Sequence, residues 1–160
     1  MEIAVLAVGR LKSGPEAELC GRYLDRARAA GRAIGLRAFA VTELAESRAA
    51  RPDDRKAQEA GALLAASAAE DFLVCLDEAG EALGSEAFAA LLRRQSDAGC
   101  RRVRFVIGGA DGLGAAVLER ADVTLSLGRM TWPHQIVRIL LAEQLYRAVT
   151  IIAGHPYHRA

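Results

Sequence analysis

An α/β domain with a mostly parallel sheet flanked by helices is the fold class this chain predicts. Segments of strand length alternate with segments of helical period from one end of the sequence to the other. Several strand-like runs, such as Ile3-Ala4-Val5-Leu6-Ala7-Val8, are apolar without alternation, the pattern of strands covered on both faces. No internal repeat, low-complexity tract or linker interrupts the series, so residues 1–160 read as one domain.

Taken in order, Ile3–Val8 predicts the first strand. Pro15 to about Ile34 predicts a helix with Leu19, Tyr23 and Leu24 on one face. Leu36–Val41 reads as a second strand and Thr42–Arg51 as a polar connection. Pro52-Asp53-Asp54 is a helix start, and that helix is expected to reach about Ala69. Asp71–Leu76 is the third strand, Gly80 a turn, and Ser85 to about Ala98 a helix. The strand Val103–Ile107 leads into a glycine loop, Gly108–Gly114, then a short helix at Ala115–Arg120 and a strand at Val123–Leu127. Pro133 opens a long helix to about Ala148. Its apolar residues, Ile136, Val137, Ile139, Leu140, Leu141, Ala142, Leu145, Tyr146 and Val149, surround most of the circumference. Such a helix is buried on several sides, either at the centre of one protomer or beneath a second.

Composition excludes several classes. Hydrophobic content of 52% with 26% charged residues describes a globular chain, not a disordered one. No apolar run approaches the roughly 20 residues of a membrane helix, and Met1-Glu2 leads straight into a strand-like run without the basic region of a signal peptide. A cytoplasmic location with no membrane partner is therefore expected. Cys20, Cys75 and Cys100 are widely spaced and unpaired, which suggests neither a disulfide framework nor a zinc site. A net charge of +1 gives no global signal for a polyanion, although a neutral total can hide a local basic surface. Of the 21 basic residues only Lys12 and Lys56 are lysine. Arginine is the better partner for planar phosphate and base recognition.

Ligands of doubly wound sheets bind outside the carboxyl ends of the strands. Three loops leave such ends: Leu76-Asp77-Glu78-Ala79-Gly80, Ile107 to Gly114, and Leu127-Gly128-Arg129-Met130-Thr131-Trp132-Pro133-His134. The glycines of the second let backbone pass close to a ligand and expose N–H groups before a helix start. Its order, Gly109-x-x-Gly112-x-Gly114, is not the dinucleotide fingerprint, and no Gly-Lys-Ser/Thr follows. A tight strand-to-helix turn without a ligand explains this loop alone equally well. Turn and cap duties likewise account for Asp77, Glu78 and Asp111, and Ser126 stands in no nucleophile elbow.

The closing run Gly154-His155-Pro156-Tyr157-His158-Arg159-Ala160 is unusual for a terminus. All three histidines, His134, His155 and His158, fall in the final segment. Two imidazoles, a phenol and a guanidinium suit binding an anion, stacking on a base and moving a proton. A solvated tail with a chance cluster is the plain alternative. A metal triad is disfavoured because Pro156 prevents helical presentation and no Cys or carboxylate lies beside the pair.

Read together, several stretches resemble one family. They are Phe105 to Leu113, Leu125-Ser126-Leu127 with Met130-Thr131, Pro133 to Arg138, Ala142 to Ala148, and Gly154-His155-Pro156-Tyr157-His158-Arg159. Val5-x-Ala7-Val8-Gly9, Leu76-Asp77 with Gly80, and Ser85-Glu86-x-Phe88-Ala89 fit as well. The family is the RlmH-type methyltransferases of the SPOUT superfamily, which methylate N3 of a pseudouridine in large-subunit ribosomal RNA. The likeness covers essentially the whole chain and is most specific in the C-terminal motifs.

That resemblance implies an α/β trefoil-knot fold, a homodimer, S-adenosylmethionine as cofactor, and ribosomal RNA of the assembled ribosome as substrate, with no metal. By motif matching, Leu76, Gly108, Leu127, Gly128, Arg129, Met130, Thr131 and Trp132 would contact the cofactor. Tyr157 and Arg159, with His155 and His158, would serve the RNA and the chemistry. Arg159 suits the charge that develops on ring oxygens, either histidine suits the N3 proton, and Tyr157 suits stacking on the base. Gly128 and Trp132 stand where serine and leucine are expected, and Glu81 where a lysine is expected. Two other readings stay open: a SPOUT-type enzyme acting on a different RNA, and a nucleotide- or RNA-binding domain without catalysis.

Overall fold

The computed structural model describes residues 1–157. The elements in chain order are β1 (Glu2–Val8), α1 (Pro15–Gly31), a 3-10 turn (Arg32–Ile34), β2 (Arg37–Leu44), α2 (Pro52–Ala65), β3 (Phe72–Ala82), α3 (Ser85–Asp97), β4 (Arg102–Ile107), α4 (Ala115–Arg120), β5 (Val123–Ser126) and α5 (His134–Ile152). The strands form one sheet in the order β2-β1-β4-β3-β5, and every pairing is parallel. The expected α/β class is what the chain adopts.

Both faces of the sheet are covered, which explains the unbroken apolar runs. In β1, Ile3, Val5 and Ala7 point to the layer of α1, α3 and α5, and Leu6 and Val8 to the layer of α2 and α4. Within the first layer, α5 packs on α1 and α3 and buries Leu141, Leu145, Ala148 and Val149. Its all-round apolar pattern therefore answers largely to neighbours within the protomer, leaving Val137, Ile139, Leu140 and Tyr146 half-buried.

Boundaries differ from expectation in several places. The first helix ends at Gly31, because the chain must turn at Gly35, a left-handed residue with φ of 73°. The second strand runs on to Leu44 through a bulge at Ala38 and Phe39, whose φ angles are 74° and 51°. The guanidinium of Arg28 donates to both bulge carbonyls, at 2.8 and 3.2 Å, and Phe39 is fully buried. Helix α2 stops at Ala65, where the hydroxyl of Ser67 donates to the carbonyls of Leu63 and Leu64. The segment 77–80 is not the end of a strand. Leu76 and Glu81 both pair with Leu125, so these four residues form an excursion within β3. Asp77 Oδ1 accepts the Ala79 N–H at 2.9 Å inside it, the turn duty open to it from sequence.

Helix α5 begins one residue later than expected, at His134. Pro133 is its cap, with its carbonyl accepting the N–H groups of Ile136 and Val137. The helix runs four residues past Ala148 and ends on Gly154, whose φ of 67° reverses the chain. Among the described residues, no helix is long and apolar enough to cross a membrane.

Candidate functional site

The excursion inside β3 and the carboxyl ends of β4 and β5 open into a cleft of about 840 Å³, a size that suits a cofactor. The three strand-end loops singled out in the sequence converge there. Leu76, Ile107, Leu125 and Leu127 give it an apolar floor, and Asp77, Lys56 and His134 add charge and polarity at its edge.

The glycine loop forms one wall and has no space for side chains. A Cβ on Gly108 would stand 2.7 Å from the backbone of Gly112, and one on Gly114 only 2.5 Å from the carbonyl oxygen of Lys56. Gly112 has a φ of 84°, which glycine adopts without strain. The loop is also tied to α2 from outside. Arg55 binds Asp111 bidentately, Nε to Oδ2 at 2.6 Å and Nη2 to Oδ1 at 3.1 Å. That hydrogen-bonded pair holds the Asp111 carboxyl below the usual carboxylate range. Glu59 is buried beneath the loop, with Oε1 accepting the Ser47 N–H at 2.9 Å.

The opposite wall is the loop 127–133. Ser126 Oγ accepts the Gly128 N–H at 3.2 Å and donates to the Gly128 carbonyl at 3.0 Å. Gly128 has a φ of 114°, so the expected serine would be strained in this backbone and the glycine is not. Trp132, 39% exposed, and Met130, 71% exposed, form the outer lip.

Of the residues expected at a cofactor, Leu76, Gly108, Leu127, Gly128, Met130, Thr131 and Trp132 line this cleft. Arg129 belongs to the same loop, is exposed, and is not among the lining residues. Sequence reasoning missed Lys56, which reaches the cleft from α2. No local signal could have found it, because only the packing of α2 on the glycine loop brings it there. His134, the last residue of the third loop singled out in the sequence, lines the cleft as well; among the described residues no group of His, Cys, Asp and Glu is placed to hold a metal ion. Cys75 lies under the cleft floor, and burial, then the Asp77 carboxylate, push its thiol up to about 11, so it stays protonated.

The described part of the tail lies elsewhere. The Tyr157 ring packs tilted against Tyr146, with centroids 4.6 Å apart and planes 53° to each other, and its hydroxyl donates to Glu143 Oε1 at 3.3 Å. Arg147 sits over its ring at 5.3 Å. Burial, then Glu143, push the Tyr157 phenol above its ordinary value, which keeps it a neutral donor. His155 Nδ1 accepts the Tyr157 N–H at 3.2 Å. His158 and Arg159 lie outside the described residues. From His134 at the cleft to Tyr146 the helix rises about 18 Å at roughly 1.5 Å per residue. Within one protomer Tyr157 is not among the residues that line the cleft.

Comparison with known proteins places these features in a family. The family model described as "Predicted SPOUT methyltransferase" matches residues 1–158. A protein of Rhizobium meliloti (strain 1021) named "Ribosomal RNA large subunit methyltransferase H" is 61% identical over 160 residues, covering 100% of both chains. A protein of the same name from Rhizobium leguminosarum bv. trifolii (strain WSM2304) is 58% identical over 159 residues, 99% of each. Among solved structures, a probable methyltransferase from Bordetella pertussis Tohama I shares the fold with a TM-score of 0.51 at 18% identity, over 92% of this chain and 95% of that one.

Proposed function

The chain belongs to the SPOUT methyltransferase family, and on that premise we propose that it transfers a methyl group from S-adenosylmethionine to N3 of a pseudouridine in large-subunit ribosomal RNA, as a cytoplasmic homodimer acting on assembled ribosomes. The observation that carries this reading is the convergence of three strand-end loops on one cleft, in a chain 61% identical to a protein named for ribosomal RNA methylation.

The cleft fits the cofactor on its own chemistry. Leu76, Ile107 and Leu127 offer an apolar bed for a purine, and the close-packed glycines let backbone groups approach without side chains between. Asp77 suits a positive centre and Lys56 a carboxylate. When bound, the cofactor supplies an activated methyl group on a sulfonium. Residues 76, 108–113 and 127–132 would hold and orient it, and alignment of this kind contributes roughly 7–11 kcal/mol to such a displacement. An imide nitrogen must lose its proton as the new bond forms. His155 or His158 accepts that proton, Arg159 stabilises the charge left on the ring oxygens, and Tyr157 stacks on the base.

Because Tyr157 lies far along α5 from its own cleft, the tail serves the cleft of the partner protomer, and the dimer is required for activity. The implied trefoil knot belongs to the same reading. Its support is that β5 is an edge strand, yet α5, which follows it, packs between α1 and α3 and reaches the middle of the sheet.

Incubation with methyl-labelled S-adenosylmethionine and ribosomes from cells lacking the activity, followed by nucleoside mass spectrometry, tests the reaction. Label on N3 of a large-subunit pseudouridine is the expected result. Label on another RNA would reassign the substrate, and cofactor binding without transfer would leave only a binding domain. Truncation after Gly154 should abolish transfer and leave cofactor binding nearly intact; loss of binding would sink the assigned division of labour.

A further inference from the structure

Two arginines act as internal ties, and each holds, at the carboxyl edge of the sheet on which the cleft opens, a loop whose own cations form no ion pair. Arg55 holds Asp111 of the glycine loop, and its Nη1 donates to the carbonyls of Ala49 and Ala50, both at 3.1 Å. Arg48 and Arg51 flank those two alanines. Arg138, 3% exposed, reaches from α5 to the carbonyls of Val8 and Gly9, at 3.0 and 2.7 Å, and to Glu43 Oε1 at 2.7 Å. Glu43 Oε1 also accepts the Leu11 N–H at 2.7 Å. Arg10 and Lys12 flank Leu11. The loops after β1 and β2 thus stand at the same carboxyl edge of the sheet as the cleft, with their backbones tethered and four basic side chains projecting.

Arg10, Lys12, Arg48 and Arg51 are all exposed, and none of their side chains forms an ion pair with another described residue. Most acids nearby are already engaged. Glu43 is bound to Arg138, Asp53 to Lys56, Asp111 to Arg55, and Glu59 is buried against Ser47. Within the two loops themselves, residues 9–14 and 45–51, Glu46 is the one acid beside these four cations; Glu16, Glu18 and Asp54 stand in the first turns of the helices that follow, and Asp77 and Glu78 line the cleft. Exposed, unpaired guanidinium groups keep all their donors for a planar anion such as phosphate.

We propose that Arg10, Lys12, Arg48 and Arg51 form a phosphate-binding rim that docks the RNA substrate with its target base over the cleft. The proposal rests on the RNA reading given above. Phosphate contacts of this kind set register and orientation without reading sequence, which suits a small enzyme on a large folded RNA.

The test is a quadruple variant, Arg10→Gln, Lys12→Gln, Arg48→Gln and Arg51→Gln, assayed on purified large ribosomal particles over a series of salt concentrations. A second variant, Arg32→Gln, Arg37→Gln, Arg94→Gln and Arg101→Gln, removes the same charge from exposed positions away from that rim. The rim variant should raise KM for the particles about tenfold or more and leave kcat little changed. It should flatten the slope of log KM against log salt by roughly three to four. Affinity for S-adenosylhomocysteine, read from the fluorescence of Trp132, the single tryptophan, should not change. An unaltered KM and slope in the rim variant, or an equal loss in the second variant, would overturn the proposal. So would wild-type protein that fails to sediment with the particles at low salt. If wild-type protein transfers no methyl group but sediments with the particles, and the rim variant alone loses that association, the rim stands and the methylation reading falls.

Discussion

Gly108 is a position where a single added methyl group meets only backbone. Its hypothetical Cβ would lie 2.7 and 2.8 Å from backbone atoms of Gly112, with no flexible side chain able to yield. Gly108→Ala should therefore displace the glycine loop, at a cost of about 1–3 kcal/mol. It should weaken binding of S-adenosylhomocysteine at least tenfold in calorimetry. Unchanged affinity would show that this loop does not touch the cofactor. Asp71 shows the opposite strategy, a buried charge fully engaged. Burial alone would raise its carboxyl, but the Ala68 N–H and the guanidinium groups of Arg104 and Arg102 outweigh it and hold the group below its ordinary value. A depressed carboxyl stabilises the fold above its unfolded pKa of about 4 and loses that effect as pH falls through the lower folded value. Asp71→Asn should lower the urea midpoint by a constant amount between pH 5 and 7, and the gap should close below about pH 4. Residue roles of this kind were only partly legible in the sequence. Gly108 stood out through the family motif, since the loop alone fits a tight turn equally well, whereas nothing local marked Asp71, whose arginine partners lie 31 and 33 positions away.

At the scale of elements, the glycine loop and α2 behave as one unit. Arg55 joins Asp111 to the carbonyls of Ala49 and Ala50, and Gly114 lies against the Lys56 carbonyl. Arg55→Gln keeps some hydrogen bonding but loses the bidentate grip, so the wall of the cleft should loosen. The expected loss is roughly ten- to hundredfold in kcat/KM for methyl transfer, with little change in thermal midpoint; an unaffected kcat/KM would show that the loop is held by packing alone. Elements were more legible than their functions. Apolar runs, helical periods and proline starts placed the five strands and five α-helices of the described residues, though not the 3-10 turn at Arg32–Ile34. The excursion at residues 77–80 looked like an ordinary turn, because its distinguishing feature is a pairing with Leu125 on either side, which is not a local property. The bulge at Ala38 and Phe39 was equally hidden, since neither residue type favours a positive φ.

For the whole molecule, the separation of Tyr157 from the cleft makes a composite site testable by mixing. Assayed at a cofactor concentration well below the weakened affinity, a variant defective in the cleft, Gly108→Ala, and one truncated after Gly154 should each show little activity. After co-expression or exchange of subunits, mixed dimers hold one intact site, and a random equal mixture should recover about a quarter of wild-type activity. Absence of any recovery, with mixed dimers demonstrated by mass spectrometry, would place the tail at its own cleft. The tail drew attention in the sequence through its residue types, yet its distance from the cleft followed only once α5 was seen to carry it outward. The contact between α1 and α5 has a different consequence. Cys20 Sγ meets the Arg138 carbonyl at 3.8 Å across 118 positions of sequence, and β1 finds its β4 partner only after some hundred residues have intervened. Contacts so distant along the chain are slow to form. During synthesis the early strand and helix must wait, partly uncovered, until α5 has emerged to close over them.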